Sequence, residues 1–81
     1  MEKETLDTFD LGLAAFLVTK GFEMLKIDRS DARKSKFYFR PDGRRGNIFA
    51  IADSYWNDQG EVGAQGFFNN LKMLKNRLYS N

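Results

Sequence analysis

The 81-residue chain contains no cysteine and no histidine. Without cysteine there is no disulfide, thiolate metal site or Cys nucleophile, and without histidine there is no imidazole acid or base. The carboxylates fall at predicted turns and helix ends and show no paired spacing. The sequence therefore predicts a protein that is not an enzyme and holds no metal or cofactor. Lack of cysteine is also typical of the reducing cytoplasm, where we expect the protein to act.

Long hydrophobic runs are missing as well. The longest apolar stretch, residues 11–18, is interrupted by Gly12 and is too short to cross a bilayer. The first residues lack the charged start and apolar segment of a signal peptide. We therefore expect no membrane association and a single domain, residues 1–81, in which residues 1–7 are a flexible N-terminus.

The first helix is predicted for residues 11–20. Thr8 and Asp10 precede it, and the side-chain oxygen of either can accept hydrogen bonds from the free N–H groups of a first helical turn. Gly21 is placed to end the helix in the left-handed conformation, with Phe22 packing back on the last turn as in a Schellman motif. Apolar residues cover more than half of the helix circumference, so we expect the helix to be largely buried.

Two strands of a hairpin are predicted next. Residues 22–28 alternate loosely, whereas residues 36–40 alternate strictly, with Phe37 and Phe39 on one face and Lys36, Tyr38 and Arg40 on the other. The polar residues 29–35 form the connecting loop, and Pro-Asp-Gly at residues 41–43 predicts a turn.

Two further helices follow the hairpin. Apolar residues at positions 48, 51, 52 and 55 have helical spacing, as do those at 67, 71, 74 and 78. The element order is therefore predicted to be αββαα. The fold class is α+β, a small single domain in which a two-stranded antiparallel hairpin packs against three helices.

Positive charge is concentrated in the hairpin region. The net charge of the chain is only +2, but residues 26–45 contain eight Lys or Arg and three Asp, a local net charge of +5. With Phe37 and Phe39 in the core, the outer face of the hairpin combines one aromatic ring with several cations, the composition needed to bind phosphates and stack bases. The candidate nucleic-acid-binding residues are Lys26, Arg33, Lys34, Lys36, Tyr38, Arg40, Arg44 and Arg45. The same pattern is also typical of a solvated β face whose lysines prevent edge-to-edge pairing.

A protein-binding role is the alternative, as a homodimer or an adaptor with no nucleic-acid role. A two-stranded sheet has an open edge that can pair with a second copy. Five aromatic residues in the second half of the chain also exceed what two short helices ordinarily bury: Tyr55, Trp56, Phe67, Phe68 and Tyr79. The simplest interpretation of these rings is the hydrophobic core, because a small domain needs large side chains to fill its interior.

Several short motifs along nearly the whole chain are similar to those of one family. They are Thr8-x-Asp10-Leu11-Gly12-Leu13-Ala14-Ala15-Phe16-Leu17, Lys20-Gly21-Phe22, Ile27-Asp28-Arg29, Phe37-x-Phe39, Tyr55-Trp56-Asn57 and Phe67-Phe68-x-x-Leu71-Lys72-x-Leu74-Lys75-x-x-Leu78-Tyr79. The chain thereby resembles a family of short uncharacterised proteins of bacteria, their phages and mobile elements. The resemblance implies a domain of unknown function and favours DNA-related partners by association, but it implies no site residue.

Overall fold

The structure, a computed structural model, describes residues 4–31 and 33–79. It is a small compact α+β domain with three antiparallel strands, three α-helices and one short 3-10 helix. In chain order the elements are β1 (Leu6–Thr8), α1 (Leu11–Thr19), β2 (Met24–Asp28), β3 (Lys36–Phe39), the 3-10 helix (Gly43–Arg45), α2 (Ile48–Trp56) and α3 (Ala64–Tyr79).

The sheet has three strands in the order β1-β3-β2, so the predicted two-stranded hairpin and the order αββαα were incomplete. Both β1 and β2 pair with β3 in antiparallel orientation. The prediction missed β1 because a three-residue strand is too short to show alternation. Leu6 and Asp7 were also assigned to a flexible N-terminus, but they are strand residues paired with β3; residues 1–3 of that segment lie outside the described residues.

The register of the sheet separates an apolar face from a polar one. Phe37 and Phe39 are fully buried, as the strict alternation of β3 predicted. The residues paired with them, such as Leu6 opposite Phe39 and Ile27 opposite Phe37, extend the same apolar face on β1 and β2. Tyr38 therefore points to the opposite face of the sheet, which we call the outer face.

The predicted start and end of α1 are confirmed. Asp10 caps the helix by accepting a hydrogen bond of 2.7 Å from the backbone N–H of Leu13. At the other end the N–H of Phe22 donates to the carbonyl of Leu17, and Gly21 has a φ of +100°. This is a Schellman motif, in which only glycine adopts the left-handed position without strain.

The helices share one core with the inner face of the sheet. α1 packs against α3 and α2, and the core includes Ile48 of α2 and Leu74 of α3 together with the strand phenylalanines. Helix α2 approaches α1 closely at Gly12. Because Gly12 has no side chain, the Tyr55 hydroxyl lies where a Cβ atom would otherwise project. Burial and the nearby carboxylate of Asp10 raise the pKa of Tyr55, so this hydroxyl stays protonated. The helical layer thus covers one face of the sheet and leaves the outer face to solvent.

Candidate functional site

The structure places seven of the eight candidate residues in two groups, one on the outer face of the sheet and one that extends into the turn after β3. One group lies on β2, on β3 and in the β2–β3 loop. We call this group, together with the neighbouring ring of Phe9, the lysine end; its residues are Lys26, Lys34, Lys36, Phe9 and Tyr38. The other group follows β3 in the chain. We call this group, together with its acidic partners, the arginine end; its residues are Arg40, Arg44, Arg45, Glu23 and Asp42. The eighth candidate, Arg33, is an exposed residue of the β2–β3 loop next to Lys34.

At the lysine end, ammonium groups lie over two aromatic rings. The Nζ of Lys26, which pairs with Tyr38 across the sheet, is 4.9 Å from the centroid of the Tyr38 ring. The Nζ of Lys34 is 4.7 Å from the centroid of Phe9. Lys36 reaches both rings, with its Nζ 5.3 Å from Phe9 and 5.6 Å from Tyr38. The five side chains therefore form one contiguous aromatic and cationic surface.

Phe9 belongs to this surface although sequence reasoning did not find it. It is 49% exposed. It follows β1, where Leu6 and Thr8 sit opposite the buried phenylalanines of β3 while Asp7 sits opposite the outward Tyr38. The sequence carried no local signal for this orientation, because three strand residues are too few to show an alternation and their pairing with β3 joins distant positions.

The lysine end also contains carboxylates. The Nζ of Lys36 is 3.0 Å from Oδ2 of Asp7, and the hydrogen bond and charge of this carboxylate raise the pKa of Lys36. Asp28 sits opposite Lys36 on β2, and its pKa is lowered, first by the hydrogen bond that the Ser30 backbone N–H donates to it. Carboxylates therefore lie among the lysines of this face, so the face has mixed charge.

Three of the candidate cations remain available. Lys26, Arg33 and Lys34 form no ion pair with any residue in the described ranges 4–31 and 33–79. All three have exposed side chains. They are the groups of this surface that an anion reaches without first displacing a carboxylate.

At the arginine end, each guanidinium already has an acidic partner. Arg40 lies 3.6 Å from Glu23, and Arg44 and Arg45 each place Nε 3.6 Å from an oxygen of Asp42. Asp42 also caps the 3-10 helix by accepting a hydrogen bond from the backbone N–H of Arg44. Such exposed pairs add little stability, but they offset the positive charge of the turn locally.

The structure separates the five aromatic residues predicted to fill the core. Tyr55 and Phe67 are partly buried against it, whereas Trp56, Phe68 and Tyr79 are 58%, 54% and 80% exposed. A groove of about 470 Å³ is lined by Phe16, Tyr55, Trp56, Asp58, Gly60, Val62 and Phe67. The helical layer therefore also exposes aromatic rings, of which Trp56 lines this groove.

Neither a metal-binding cluster nor a membrane-spanning helix is present in the described part of the chain. It contains no group of three or more acidic, histidine or cysteine side chains arranged to hold a metal ion. No helix within it is long and apolar enough to cross a membrane.

Comparison with known proteins identifies a family for the chain but no individual relative. Searches of curated proteins and of solved structures find no match for the chain. The family described as Domain of unknown function (DUF5659) matches residues 3–80, nearly the whole chain. The chain therefore belongs to the DUF5659 family, whose function is unknown.

Proposed function

We propose that the protein is a non-enzymatic domain that binds nucleic acid through the outer face of its sheet. The observation that carries the proposal is the lysine end, where three ammonium groups surround the exposed ring of Phe9 and the partly exposed ring of Tyr38 on one solvent-facing surface. Cations that neutralise phosphates and rings that accept bases are the two components of such an interface. The setting we propose is the bacterial cytoplasm, in keeping with the lack of cysteine, and the resemblance implies that the gene is carried by a bacterium, a phage or a mobile element.

The residues take different parts in this interface. Lys26, Arg33 and Lys34 contact phosphates first, because none of them is paired with a carboxylate of the described residues. Tyr38 stacks on a base at the centre of the face. The flexible lysine stems allow the ammonium groups that lie over the rings to move aside to the phosphates. The arginine end contributes less, since its guanidinium groups are paired with Glu23 and Asp42.

Fluorescence anisotropy of a labelled oligonucleotide at several salt concentrations tests the proposal. Three phosphate contacts on a single strand predict that log K falls against log salt with a slope of about −2. The matched control is Lys75→Gln, which removes one positive charge from the exposed surface of α3; it should leave the slope unchanged. Absence of binding at about 50 mM salt, where phosphate contacts are strong, would remove the proposal.

The second candidate is a homodimeric or protein-binding adaptor, and the exposed rings of the helical layer favour it. Trp56, Phe68 and Tyr79 present aromatic area of the kind enriched at protein interfaces. Light scattering over a range of protein concentrations tests the homodimer: a mass that doubles with concentration supports it, and a monomer at the highest concentration contradicts it. Trp56→Ser is the variant expected to restore the monomer.

A further inference from the structure

We infer that the lysine end recognises single-stranded nucleic acid, with neighbouring unpaired bases stacked on Phe9 and Tyr38. This inference rests on the proposed function, because it specifies the ligand of the same surface. It assigns Phe9 as a second stacking residue and predicts discrimination against duplexes.

The placement of the two rings is the first argument. One ammonium group, that of Lys36, lies over both Phe9 and Tyr38, so the two ring centroids are separated by no more than the sum of its two distances, 5.3 Å and 5.6 Å. Phe9 is half exposed and Tyr38 is partly exposed, on the same side of the sheet. Two accessible rings this close offer stacking positions for two bases of one strand.

The chemistry of the ligand is the second argument. In a duplex the faces of the bases are covered by their stacked neighbours, so a duplex presents grooves and phosphates but no face for a ring. In a single strand the bases can be splayed out and can stack on aromatic side chains. The exposed ring of Phe9 therefore gains a contact from a single strand that a duplex does not provide.

The acidic residues of the face are the third argument. Asp7 lies directly opposite Tyr38, and Asp28 lies opposite Lys36, so two carboxylates flank the central strand. A duplex carries one negative charge for about every 1.7 Å of its axis, roughly twice the density of either of its strands. The two carboxylates lower the net positive charge of the face and so reduce the electrostatic advantage that this denser charge gives a duplex.

The experiment compares two probes with the full chain at the same low salt concentration. One probe is a labelled oligothymidine of about 15 nucleotides, within the site sizes of single-strand binders, and the other is a blunt duplex of equal length. We expect the oligothymidine to bind at least about tenfold more tightly than the duplex, since each stacked base contributes a contact that the duplex lacks. Equal or tighter duplex binding overturns this inference but leaves the proposed function standing, whereas binding of neither probe overturns both.

Variants then locate the stacking. Phe9→Leu and Tyr38→Leu keep an apolar side chain but remove the ring, and each is expected to weaken oligothymidine binding at least about fivefold while leaving duplex binding unchanged. Phe9→Tyr and Tyr38→Phe retain a ring and are expected to bind as the parent chain does, which separates stacking from a folding defect. Oligothymidine binding that both leucine variants preserve would overturn the assignment of the two rings.

Discussion

The two ends of the basic segment differ in what surrounds their cations. At the lysine end, Lys26 and Lys34 face aromatic rings and have no carboxylate partner among the described residues. At the arginine end, Arg44 and Arg45 share the carboxylate of Asp42. Counting charges along the sequence gives both ends equal weight, but the fold leaves mainly one of them available to an anion.

The difference arises from local backbone structure. A strand directs alternate side chains to one face, so Lys26 of β2 and Lys36 of β3 both lie over the ring of Tyr38 on the outer face. The turn after β3 instead requires a residue to cap the 3-10 helix, and Asp42 supplies it. An aspartate in that position lies within reach of the two arginines that follow it, so the capping residue also offsets their charge.

The largest expected effect tests the strand register on which the whole comparison depends. Phe37→Ala removes a ring that is fully buried in the core and should lower the free energy of unfolding by about 3–5 kcal/mol. Tyr38→Ala removes a ring on the outer face and should cost far less. Chemical denaturation of both variants measures the difference, and similar losses would contradict the assignment of the two faces.

The next effect compares the two ends directly. Two double variants each remove two positive charges. One combines Lys26→Gln with Lys34→Gln, and the other combines Arg44→Gln with Arg45→Gln. We expect the lysine pair to make the salt slope of oligothymidine binding shallower by about 1.4, at 0.7 for each lost phosphate contact. The arginine pair should change it much less. Salt titrations by anisotropy measure both, and equal losses would show that only total charge matters.

A smaller effect is expected from neutralising the acidic partners. Asp7→Asn should tighten oligonucleotide binding, because it frees Lys36 beside the two rings. Asp42→Asn should tighten binding less, because Arg44 and Arg45 contact no aromatic ring in the described part of the chain. Asparagine preserves the cap in the second variant. A larger gain in affinity from Asp42→Asn than from Asp7→Asn would contradict the claim that the lysine end contributes more to binding than the arginine end.

The smallest effect is that of pH. The pKa of Lys36 is raised, so the stability from its pair with Asp7 is fully present below the ordinary lysine value and is lost only as pH rises through the higher folded value. The pKa of Asp28 is lowered, so its contribution is lost only in acid. With no histidine in the chain, thermal stability and binding should be flat between about pH 6 and pH 9. A clear inflection in that range would contradict this assignment of charges.

Sequence patterns predicted much of this fold because several signals were strong and local. The cap at Asp10, the Schellman motif at Gly21 and the alternation of residues 36–40 each follow from the chemistry of a few neighbouring residues. The strand β1 was missed because its three residues are too few to show alternation and because its pairing with β3 joins residues more than 25 positions apart. Phe9 was missed for the same reason.

The candidate site was harder to predict than the fold. Charge and alternation placed Lys36 and Tyr38 on the outer face, but they could not show that Asp7 lies beside Lys36 or that Asp42 engages two arginines. These pairs depend on tertiary distances. The exposure of Trp56 and Phe68 likewise depends on how α2 and α3 pack, because apolar spacing shows which helix face is buried without setting how wide that face is.

The most direct test of the central claim is a titration of the isotopically labelled chain with oligothymidine, followed by backbone amide chemical shifts. We expect the largest shifts at the lysine end, at Phe9, Lys26, Lys34 and Tyr38, and small shifts at Arg44 and Arg45. Shifts confined to the arginine end or to the exposed rings of α2 and α3 would contradict the claim that the lysine end is the binding surface.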